Sequence, residues 1–382
     1  MTTVERILDY NQGRDPDRLA LKYKLISSSP AAFFRGTAHL FYEDLPVCPL
    51  APNVWVSGDA HLENFGVYKG DNRLVYFDFN DFDEAALAPI TIELIRMLTG
   101  ILVSGIKTNP ADFLNDYARE LATGKPRWVE RETSIDGVRD LVYSLKGRSK
   151  KQLLASRTVM RKNRRVIGTD GSYALPLQEG EFVLLDNLLS SLEEPFKLRS
   201  AARRIAGNGS LGVSRYILLV EGDYLLDLKQ ARPSLLASHF QQPYWPSDAH
   251  RVVGIQRRMQ AISPAFLLPV QLNSDFYVLR ELVPREDRIR LELFKQEKDF
   301  MRNLLLTEAS LMAWSHLRSS GRQGSAIADD LIDFGQSPSW KQDVLRIATQ
   351  QAKLVIKQYQ EFESKMPSIS KAKASGASSS QK

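Results

Sequence analysis

Apolar runs along the chain alternate with polar turns in a pattern that predicts both strands and helices. Residues 53–59 and 73–79 are short runs rich in Val, Tyr and Phe, as in strands, and turn-forming residues 69–72 lie between them. Residues 29–45 open with Ser-Pro, a helix start signal, and mix apolar with polar positions as a helix does. Residues 90–106 are almost continuously apolar, as in a buried helix. We therefore expect the N-terminal third to combine helices with two neighbouring strands, each of which ends at or beside an aspartate.

The second half of the chain has a different pattern. A glycine-rich stretch at 207–212 leads into an apolar strand, a Glu-Gly-Asp turn and a second strand that ends near Lys229. Residues 249–262 are predicted to be helical and residues 274–282 to form a strand, and long amphipathic helical patterns run from 291 to 366. Strands and helices of these lengths predict an α+β protein.

Composition narrows the class of protein. With 382 residues, 43% hydrophobic and 25% charged, the chain is typical of globular rather than fibrous or disordered proteins. Its net charge of +6 suits anionic partners such as nucleotides, phosphates or nucleic acid. Cys48 is the single cysteine, which excludes an intrachain disulfide and a thiolate zinc site and favours a cytoplasmic location. The N-terminus lacks a signal-peptide core, and Glu93 and Arg96 interrupt the most apolar span, so we expect no membrane segment.

The segment from Val56 to Ala85 has an unusual concentration of carboxylates. They stand among Phe and Tyr residues that require burial, so they are drawn toward the interior and need positive partners, for which Arg35 is a candidate. The acids are Asp59, Glu63, Asp71, Asp78, Asp81, Asp83 and Glu84. For the last three, the alternative explanation is a helix N-terminus, where acids meet the helix dipole favourably.

Three polar residues in this segment have the spacing of a phosphoryl-transfer site. Asp59 precedes Asn64 by five residues, and Asp78 ends the next predicted strand. In such sites one aspartate orients or deprotonates a hydroxyl, while an asparagine oxygen and a second aspartate hold Mg²⁺ against nucleotide phosphates. The alternative is ordinary turn chemistry. For His61, both proton transfer and a hydrogen bond that anchors the loop are open.

The glycine-rich stretch matches G-x-G-x-x-G, a pattern shared by dinucleotide-binding folds and kinases. Its defining residues are Gly207, Gly209 and Gly212, and Ser210, between the last two, is a further candidate contact. A dinucleotide fingerprint leads into a helix, whereas residues 216–220 predict a strand. Glycines here would let backbone N–H groups approach phosphate oxygens, and Lys229 on the adjoining strand would pair with them. The pattern therefore favours a hairpin that covers nucleotide phosphates.

Five boxes of the sequence resemble those of a known family. GDAHLENFG, FDFNDFDE, SPAAFFRG, GNGSLGVSRY and HRVVGIQRRMQA look like the boxes of bacterial domain-of-unknown-function family 2252, over roughly residues 14–363. That family is grouped with protein-kinase-like and aminoglycoside-phosphotransferase-like folds. The resemblance implies a two-lobed protein-kinase-like fold with circularly permuted lobe order, because the catalytic-loop and metal-binding boxes precede the glycine loop.

The resemblance also implies how the chain is divided. Residues 1–150 would form the first part of the larger, mainly helical lobe, with the catalytic and metal-binding loops. Residues 151–285 would form the small β-rich lobe that covers the nucleotide, and residues 286–366 the helices that complete the larger lobe. The Ser- and Lys-rich residues 367–382 are predicted to be a disordered tail.

Roles for single residues follow from the same resemblance. The implied catalytic residues are Asp59 and His61, the Mg²⁺ ligands Asn64 and Asp78, and the ATP contacts Lys229, the glycine loop and the hinge from Glu281 to Val283. Two departures stand out. Ser57 replaces a histidine common in phosphotransferases, and Gly254 stands where an acidic partner for Lys229 is expected. Asp81, Asp83 and Asp227 are the alternative partners.

The leading hypothesis is a phosphotransferase that moves a phosphoryl group from ATP to an unidentified hydroxyl acceptor, which could be a small molecule or a protein, with Mg²⁺. The alternatives are a nucleotidyl (AMP) transferase, a non-catalytic nucleotide-binding or nucleic-acid-binding protein, and a metal-dependent hydrolase. Residues 160–165 and Arg157 are strongly basic, but no aromatic residues are interleaved with them. That pattern favours a solvated face over a nucleic-acid surface.

Overall fold

The computed structural model describes residues 1–135, 138–147, 149–171, 173–206, 212–283, 289, 291 and 296–376. It contains both helices and strands, so the predicted α+β class is confirmed. The helices in these residues are α1 (Thr3–Tyr10), α2 (Pro16–Ile26), α3 (Pro30–Gly36), α4 (Ala38–Glu43), α5 (Ile90–Val103), α6 (Pro110–Ala122), α7 (Val138–Gly147), α8 (Lys150–Arg157), α9 (Glu181–Ser190), α10 (Asp248–Met259), α11 (Lys298–Ser319), α12 (Ala328–Gln336) and α13 (Lys341–Gly376). The strands are β1 (Asn53–Val56), β2 (Phe65–Lys69), β3 (Val75–Phe79), β4 (Ala86–Pro89), β5 (Val129–Glu130), β6 (Thr158–Arg161), β7 (Arg164–Ile167), β8 (Ala174–Leu175), β9 (Leu198–Arg204), β10 (Arg215–Val220), β11 (Tyr224–Gln230), β12 (Leu268–Leu272) and β13 (Asp275–Glu281).

The largest sheet has two different faces. Its six antiparallel strands lie in the order β12-β13-β11-β10-β9-β8. One face packs leucines such as Leu226 and Leu279 against α9. Since side chains alternate along a strand, the other face carries Arg215 and Lys229, which are cross-strand partners. Val278, opposite Lys229 on β13, belongs to the main hydrophobic core. The charged face is therefore turned toward the rest of the protein.

The acidic segment folds around the hairpin formed by β2 and β3. Phe65 begins β2 and pairs with Phe79, which ends β3. The Asn80 N–H continues this register by donating to the Asn64 carbonyl at 2.9 Å. Residues before β2 and after β3 thus meet at one end of the hairpin. The sequence pattern missed β2, and the expectation that the two predicted strands are neighbours was wrong, because β1 pairs with β4 while β3 pairs with β2 and β5.

Helix α5 runs through the main core. Its residues are buried with the exception of Leu102, and the buried set includes Glu93 and Arg96. Helix α13 packs along α5, and α11 packs along α6. The two charges that interrupt the apolar span therefore lie in the protein interior. Within the described part of the chain, no helix is both long enough and apolar enough to cross a membrane.

Two predicted elements differ from the structure. Residues 29–45 form two short helices, α3 and α4, because Thr37 between them leaves the helical conformation, with φ −127° and ψ 41°. The prediction of a disordered tail at 367–382 was wrong for its first part, since α13 continues to Gly376. Residues added to an existing helix avoid the cost of nucleation, so the polar composition there is compatible with helix. Residues 377–382 lie outside the described residues.

Candidate functional site

A cavity of about 400 Å³ opens where the acidic segment meets the N-terminal helices and strand β11. Charges of both signs line it. The acidic and polar lining residues of the loops around β2 and β3 are Asp59, His61, Glu63, Asn64, Asp81, Asp83 and Glu84, and the cationic ones are Arg14, Arg35 and Arg232. Asp59, His61 and Asn64, all predicted site residues, are thus gathered in one place.

The loop before Asp59 is held from behind by a buried chain of hydrogen bonds. The Ser57 N–H and hydroxyl donate to one carboxylate oxygen of Glu93, at 2.6 and 2.5 Å. The other Glu93 oxygen lies 2.7 Å from His316 Nε2, and His316 Nδ1 lies 2.8 Å from the Tyr117 hydroxyl. All these side chains are buried. Two helices distant in sequence, α5 and α11, therefore fix the backbone just ahead of Asp59.

Asp59 is bound on one side and exposed on the other. Its Oδ1 accepts hydrogen bonds from the guanidinium of Arg96, with a distance of 2.9 Å from Nε. Arg96 is fully buried, and its guanidinium lies 4.3 Å from the Phe34 ring centre. Burial raises the pKa of the Asp59 carboxyl, although Arg96 acts in the opposite direction. Gly58, with a φ of +76°, lets the loop approach the Glu84 carbonyl more closely than a Cβ atom would allow.

His61 and Glu63 shape the loop that follows. His61 Nδ1 accepts a hydrogen bond from the Glu63 N–H at 3.1 Å, which is the anchoring role. His61 Nε2 lies 4.0 Å from Asp59 Oδ2, so the ring also faces the free oxygen of the aspartate. Glu63 forms an ion pair with Arg35. The prediction that Arg35 compensates the acidic segment is confirmed.

Asn64 joins the two loops that leave the β2–β3 hairpin. Its side-chain N–H groups donate to the backbone carbonyls of Asp59, at 3.0 Å, and Asp81, at 3.2 Å. Its side-chain oxygen accepts the Asp81 N–H at 2.8 Å. One amide therefore fixes Asp59 and Asp81 relative to each other, and both line the cavity.

Asp78 does not converge with Asp59 and Asn64. Its carboxylate lies 3.2 Å from the Arg318 guanidinium and accepts the Phe79 N–H at 2.9 Å. The side chain is buried and does not line the cavity. The expected convergence was wrong because it assumed that β1 and β3 are neighbours. Asp81, two residues past the end of β3, occupies the place that was expected for Asp78.

Lys229 finds its acidic partner in the acidic segment. Its ammonium group pairs with Asp83 and lies 3.6 Å from the Asp81 carboxylate. Gly254 cannot be replaced by an acidic residue in this packing, because a Cβ there would lie 2.5 Å from the Trp245 ring. Of the alternatives left open by the sequence, Asp81 and Asp83 are confirmed. They do not sit at a helix N-terminus, since β4 separates them from α5.

A second ionic cluster lies on the same face of the sheet as Lys229. Asp227 on β11 accepts hydrogen bonds from Arg215, at 2.7 and 2.5 Å, and from Arg204, at 2.8 Å. Arg280 approaches the same carboxylate at 4.0 Å. All four side chains are buried. Burial by itself would raise the pKa of Asp227, but the Arg215 and Arg204 charges hold it well below its usual value. Three arginines around one aspartate leave this face with an excess of positive charge.

Of the remaining predicted nucleotide contacts, the structure describes Gly212, Glu281 and Val283. Gly207, Gly209 and Ser210 lie outside the described residues. Gly212 is described and has a φ of +94°, and a Cβ there would lie 2.9 Å from the Arg14 side chain. The chain thus passes close to the N-terminal helices at this point.

Glu281 and Val283 line a different cavity, of about 310 Å³, which shares no lining residue with the first. The Glu281 carboxylate lies 3.2 Å from the Arg73 guanidinium, and burial raises the pKa of this glutamate. The contact of this hinge with adenine stays a prediction.

The oxygen atoms around the first cavity suit a hard cation. Within the described residues, no three His, Cys, Asp or Glu side chains form a metal-binding group by themselves. Mg²⁺, however, usually takes one or two protein carboxylates and completes its shell with water and phosphate oxygens. Asp81, which is about one third exposed, meets that requirement, and Asn64, whose side-chain oxygen also accepts the Asp81 N–H, lines the cavity beside it. Asp78, buried against Arg318, does not.

Sequence reasoning missed Glu93, Arg96 and His316 as site residues. A signal was present in the first two, because a buried apolar helix rarely carries a carboxylate and a guanidinium unless they are paired. No pattern in the sequence relates His316 to Glu93, since more than two hundred residues separate them. Asp227 was considered only as a partner for Lys229, and its three arginines were not anticipated.

Comparison with known proteins gives a family but no activity. The model of the family described as "Uncharacterized protein conserved in bacteria (DUF2252)" matches residues 14–365, which is most of the chain. No curated protein matches, and no solved structure matches.

Proposed function

We propose that this chain, which belongs to the DUF2252 family, is an ATP- and Mg²⁺-dependent phosphotransferase with a circularly permuted kinase-like fold. It would transfer the γ-phosphoryl group of ATP to a hydroxyl group of an acceptor. The observation that carries the proposal is the meeting of Lys229 with Asp81 and Asp83, because these residues come from segments about 150 positions apart. A nucleotide site shared by the two segments would bring a lysine of the sheet and these carboxylates together in this geometry.

The order of elements around Lys229 supports the kinase-like interpretation. The glycine-rich segment connects β9 to β10, Lys229 lies on β11, and α10 precedes β12 and β13. In protein kinases a glycine-rich loop covers the phosphates and the phosphate-pairing lysine is on the third strand. Here the strands follow the acidic segment in the chain, whereas they precede it in kinases. A permuted order is compatible with one fold, since chain termini lie at the surface and contacts define the core.

The groups assigned to this reaction lie in the cavity, as Asp59, Asn64 and Asp81 do, or on the sheet face beside it, where Lys229 contacts Asp81. Lys229 and the arginine-rich face of the sheet would bind the phosphate oxygens of ATP, and Asp81 with the Asn64 oxygen would hold Mg²⁺, which neutralises charge on the phosphates. Asp59 Oδ2 would accept the proton of the acceptor hydroxyl. The acceptor oxygen then bonds to the γ-phosphorus while the bond to the bridging oxygen breaks, and the electron pair leaves with ADP. Arg96 orients Asp59 through Oδ1.

A second candidate, nucleotidyl transfer, is favoured by the cluster around Asp227. Arg280 immediately precedes the predicted hinge, so buried guanidinium groups occupy the face of the sheet between Lys229 and Glu281. Phosphates suit such surroundings better than an adenine ring does. A nucleotide bound in the reverse direction would place its α-phosphorus near the acceptor, and the acceptor oxygen would then displace pyrophosphate.

Slow ATP turnover with water as the acceptor tests both candidates without knowledge of the substrate. The protein is incubated with Mg²⁺ and ATP labelled at either the α- or the γ-phosphate, and the products are separated. We expect ADP and labelled phosphate from the γ-label, and none from Lys229→Ala. AMP and pyrophosphate would instead establish nucleotidyl transfer. Equal turnover by the wild type and the Lys229→Ala variant would contradict both candidates.

A further inference from the structure

The positive charge of the chain is concentrated in one stretch. Residues 141–169 contain nine Lys and Arg residues and no Asp or Glu. The rest of the chain has 42 basic and 45 acidic residues, so its net charge is −3. The entire excess of +6 therefore comes from this stretch, which the proposed transfer reaction does not use.

Part of the stretch forms a two-stranded hairpin, β6–β7, which we call the basic ribbon (residues 158–167). Its turn consists of Lys162 and Asn163, which both have positive φ angles, 46° and 59°. Two residues of this conformation make a tight turn whose twist matches the strands. Arg161, Lys162 and Arg164 at the tip are exposed. The ribbon therefore holds its cations on ordered backbone rather than on a solvated coil.

The base of the ribbon is fixed to the large sheet. Ile167 is buried, and its N–H donates to the Ser200 hydroxyl of β9 at 3.0 Å. The Gly168 N–H closes the base by donating to the Arg157 carbonyl at 3.0 Å. The tip is thus held at a set position relative to the rest of the protein.

Charge on the ribbon is arranged unfavourably for the isolated protein. Arg161 and Arg164 are direct cross-strand partners, and like charges in that position destabilise a hairpin. Lys162 stands between them in the sequence, in a left-handed conformation that is unusual for lysine. Among the described residues, none of these three side chains forms an ion pair with a carboxylate. A polyanion placed across the tip would convert this repulsion into attraction.

We propose that the basic ribbon binds duplex DNA through its phosphate backbone, without preference for sequence. The major groove of B-form DNA, about 12 Å wide, admits a two-stranded β-ribbon. The ribbon contains no aromatic residue, whereas single-stranded nucleic acids are held largely by stacking on aromatic rings. Helix α8, which leads directly into the ribbon and contacts β6, carries a further exposed cation, Lys151. The proposal is independent of the transfer reaction, since the ribbon contributes no residue to the first cavity.

Fluorescence anisotropy with a labelled 20-base-pair duplex of mixed sequence tests this proposal over a series of salt concentrations. The Arg161→Gln, Lys162→Gln, Arg164→Gln triple variant is compared with the wild type and with a control of equal charge, Lys24→Gln, Lys353→Gln, Lys357→Gln. The control residues are exposed and lie on α2 and α13. We expect at least tenfold weaker binding in the ribbon variant only. The slope of log affinity against log salt concentration should also be smaller in magnitude by about 2 to 3 for the ribbon variant. Each phosphate contact contributes about 0.9 to that slope, and three cations are removed.

Thermal unfolding of both triple variants shows whether they are folded, and the ribbon variant should be at least as stable as the wild type because a like-charge pair is removed. The proposal fails if the wild type does not bind the duplex at 50 mM salt, or if the control loses as much affinity as the ribbon variant. Ribbon-dependent binding to vesicles of anionic phospholipid that is tighter than binding to the duplex would also overturn it, in favour of a membrane surface.

Discussion

Replacement of Asp59 by asparagine is expected to lower ATP turnover by a factor of about 10² to 10⁴, the usual contribution of a general base. Asparagine keeps the shape of the side chain and a carbonyl oxygen for the Arg96 guanidinium. It cannot accept a proton from the acceptor hydroxyl. Because Asp59 has no assigned contact with the nucleotide phosphates, the dissociation constant for Mg²⁺–ATP should change little. A loss confined to the chemical step is therefore the signature of the assigned role.

The matched control is Asp71→Asn, in the same acidic segment but in the exposed turn between β2 and β3. Its turnover should equal that of the wild type. If Asp59→Asn keeps full turnover, Asp59 is a structural partner of Arg96 and the assignment of the base is wrong. If Mg²⁺–ATP binding and turnover fall together, Asp59 acts in binding rather than in proton transfer.

The largest expected loss of stability follows the replacement of Glu93 by glutamine, which should lower the free energy of unfolding by about 3 kcal/mol. The carboxylate accepts hydrogen bonds from both the N–H and the hydroxyl of Ser57 and pairs with His316 in a fully buried setting. An amide of the same size has one acceptor oxygen instead of two and no negative charge. If that oxygen stays on Ser57, the amide N–H groups face His316 in place of the carboxylate oxygen. Denaturant unfolding followed by circular dichroism measures the change.

Glu308 on α11 provides a control with the same substitution and the opposite expectation. It is fully buried, and neither carboxylate oxygen has a hydrogen-bond partner among the described residues. Burial raises the pKa of Glu308 well above its ordinary value of 4.5. Folding therefore favours the protonated, uncharged form of Glu308, so its contribution to stability is present below pH 4.5 and is lost as the pH rises toward the folded pKa. Glu308→Gln should leave stability unchanged near pH 4 and increase it at pH 7. Equal losses in both variants at pH 7 would show that the Glu93 network adds nothing specific.

The sequence predicted local elements well where one physical signal dominated. Periodicity located α5, α10, β10, β11 and β13 within a few residues, because burial of one face or of a whole helix leaves a clear pattern. The strand β2 was missed since its residues, Phe-Gly-Val-Tyr-Lys, include a glycine and follow directly on polar residues. Propensity alone does not reveal that Phe79 pairs with Phe65 across the hairpin.

The candidate site was predicted in part. Spacing within a motif identified Asp59 and Asn64, and alternation along a strand placed Lys229 and Asp227 on one face. Asp78 was misplaced because the strand pairing was predicted incorrectly. Which strands pair decides whether an acid at the end of a strand reaches the cavity or, like Asp78, a neighbouring arginine. Contacts between distant segments, such as Glu93 with His316, leave no local trace in a single sequence. They follow from packing of helices and could be found only in the structure.

Calorimetric titration of ATP into the protein, with and without Mg²⁺, tests most directly whether the acidic segment and Lys229 form a nucleotide site. The variants Asp81→Asn and Asp78→Asn make the sharpest pair, since the first residue lines the cavity and the second is buried against Arg318. We expect Mg²⁺ to strengthen ATP binding to the wild type and to a folded Asp78→Asn variant, and to have no effect on ATP binding to Asp81→Asn. Absence of binding to the wild type would contradict a nucleotide site. Loss of the Mg²⁺ effect in folded Asp78→Asn, with its retention in Asp81→Asn, would contradict the site as assigned.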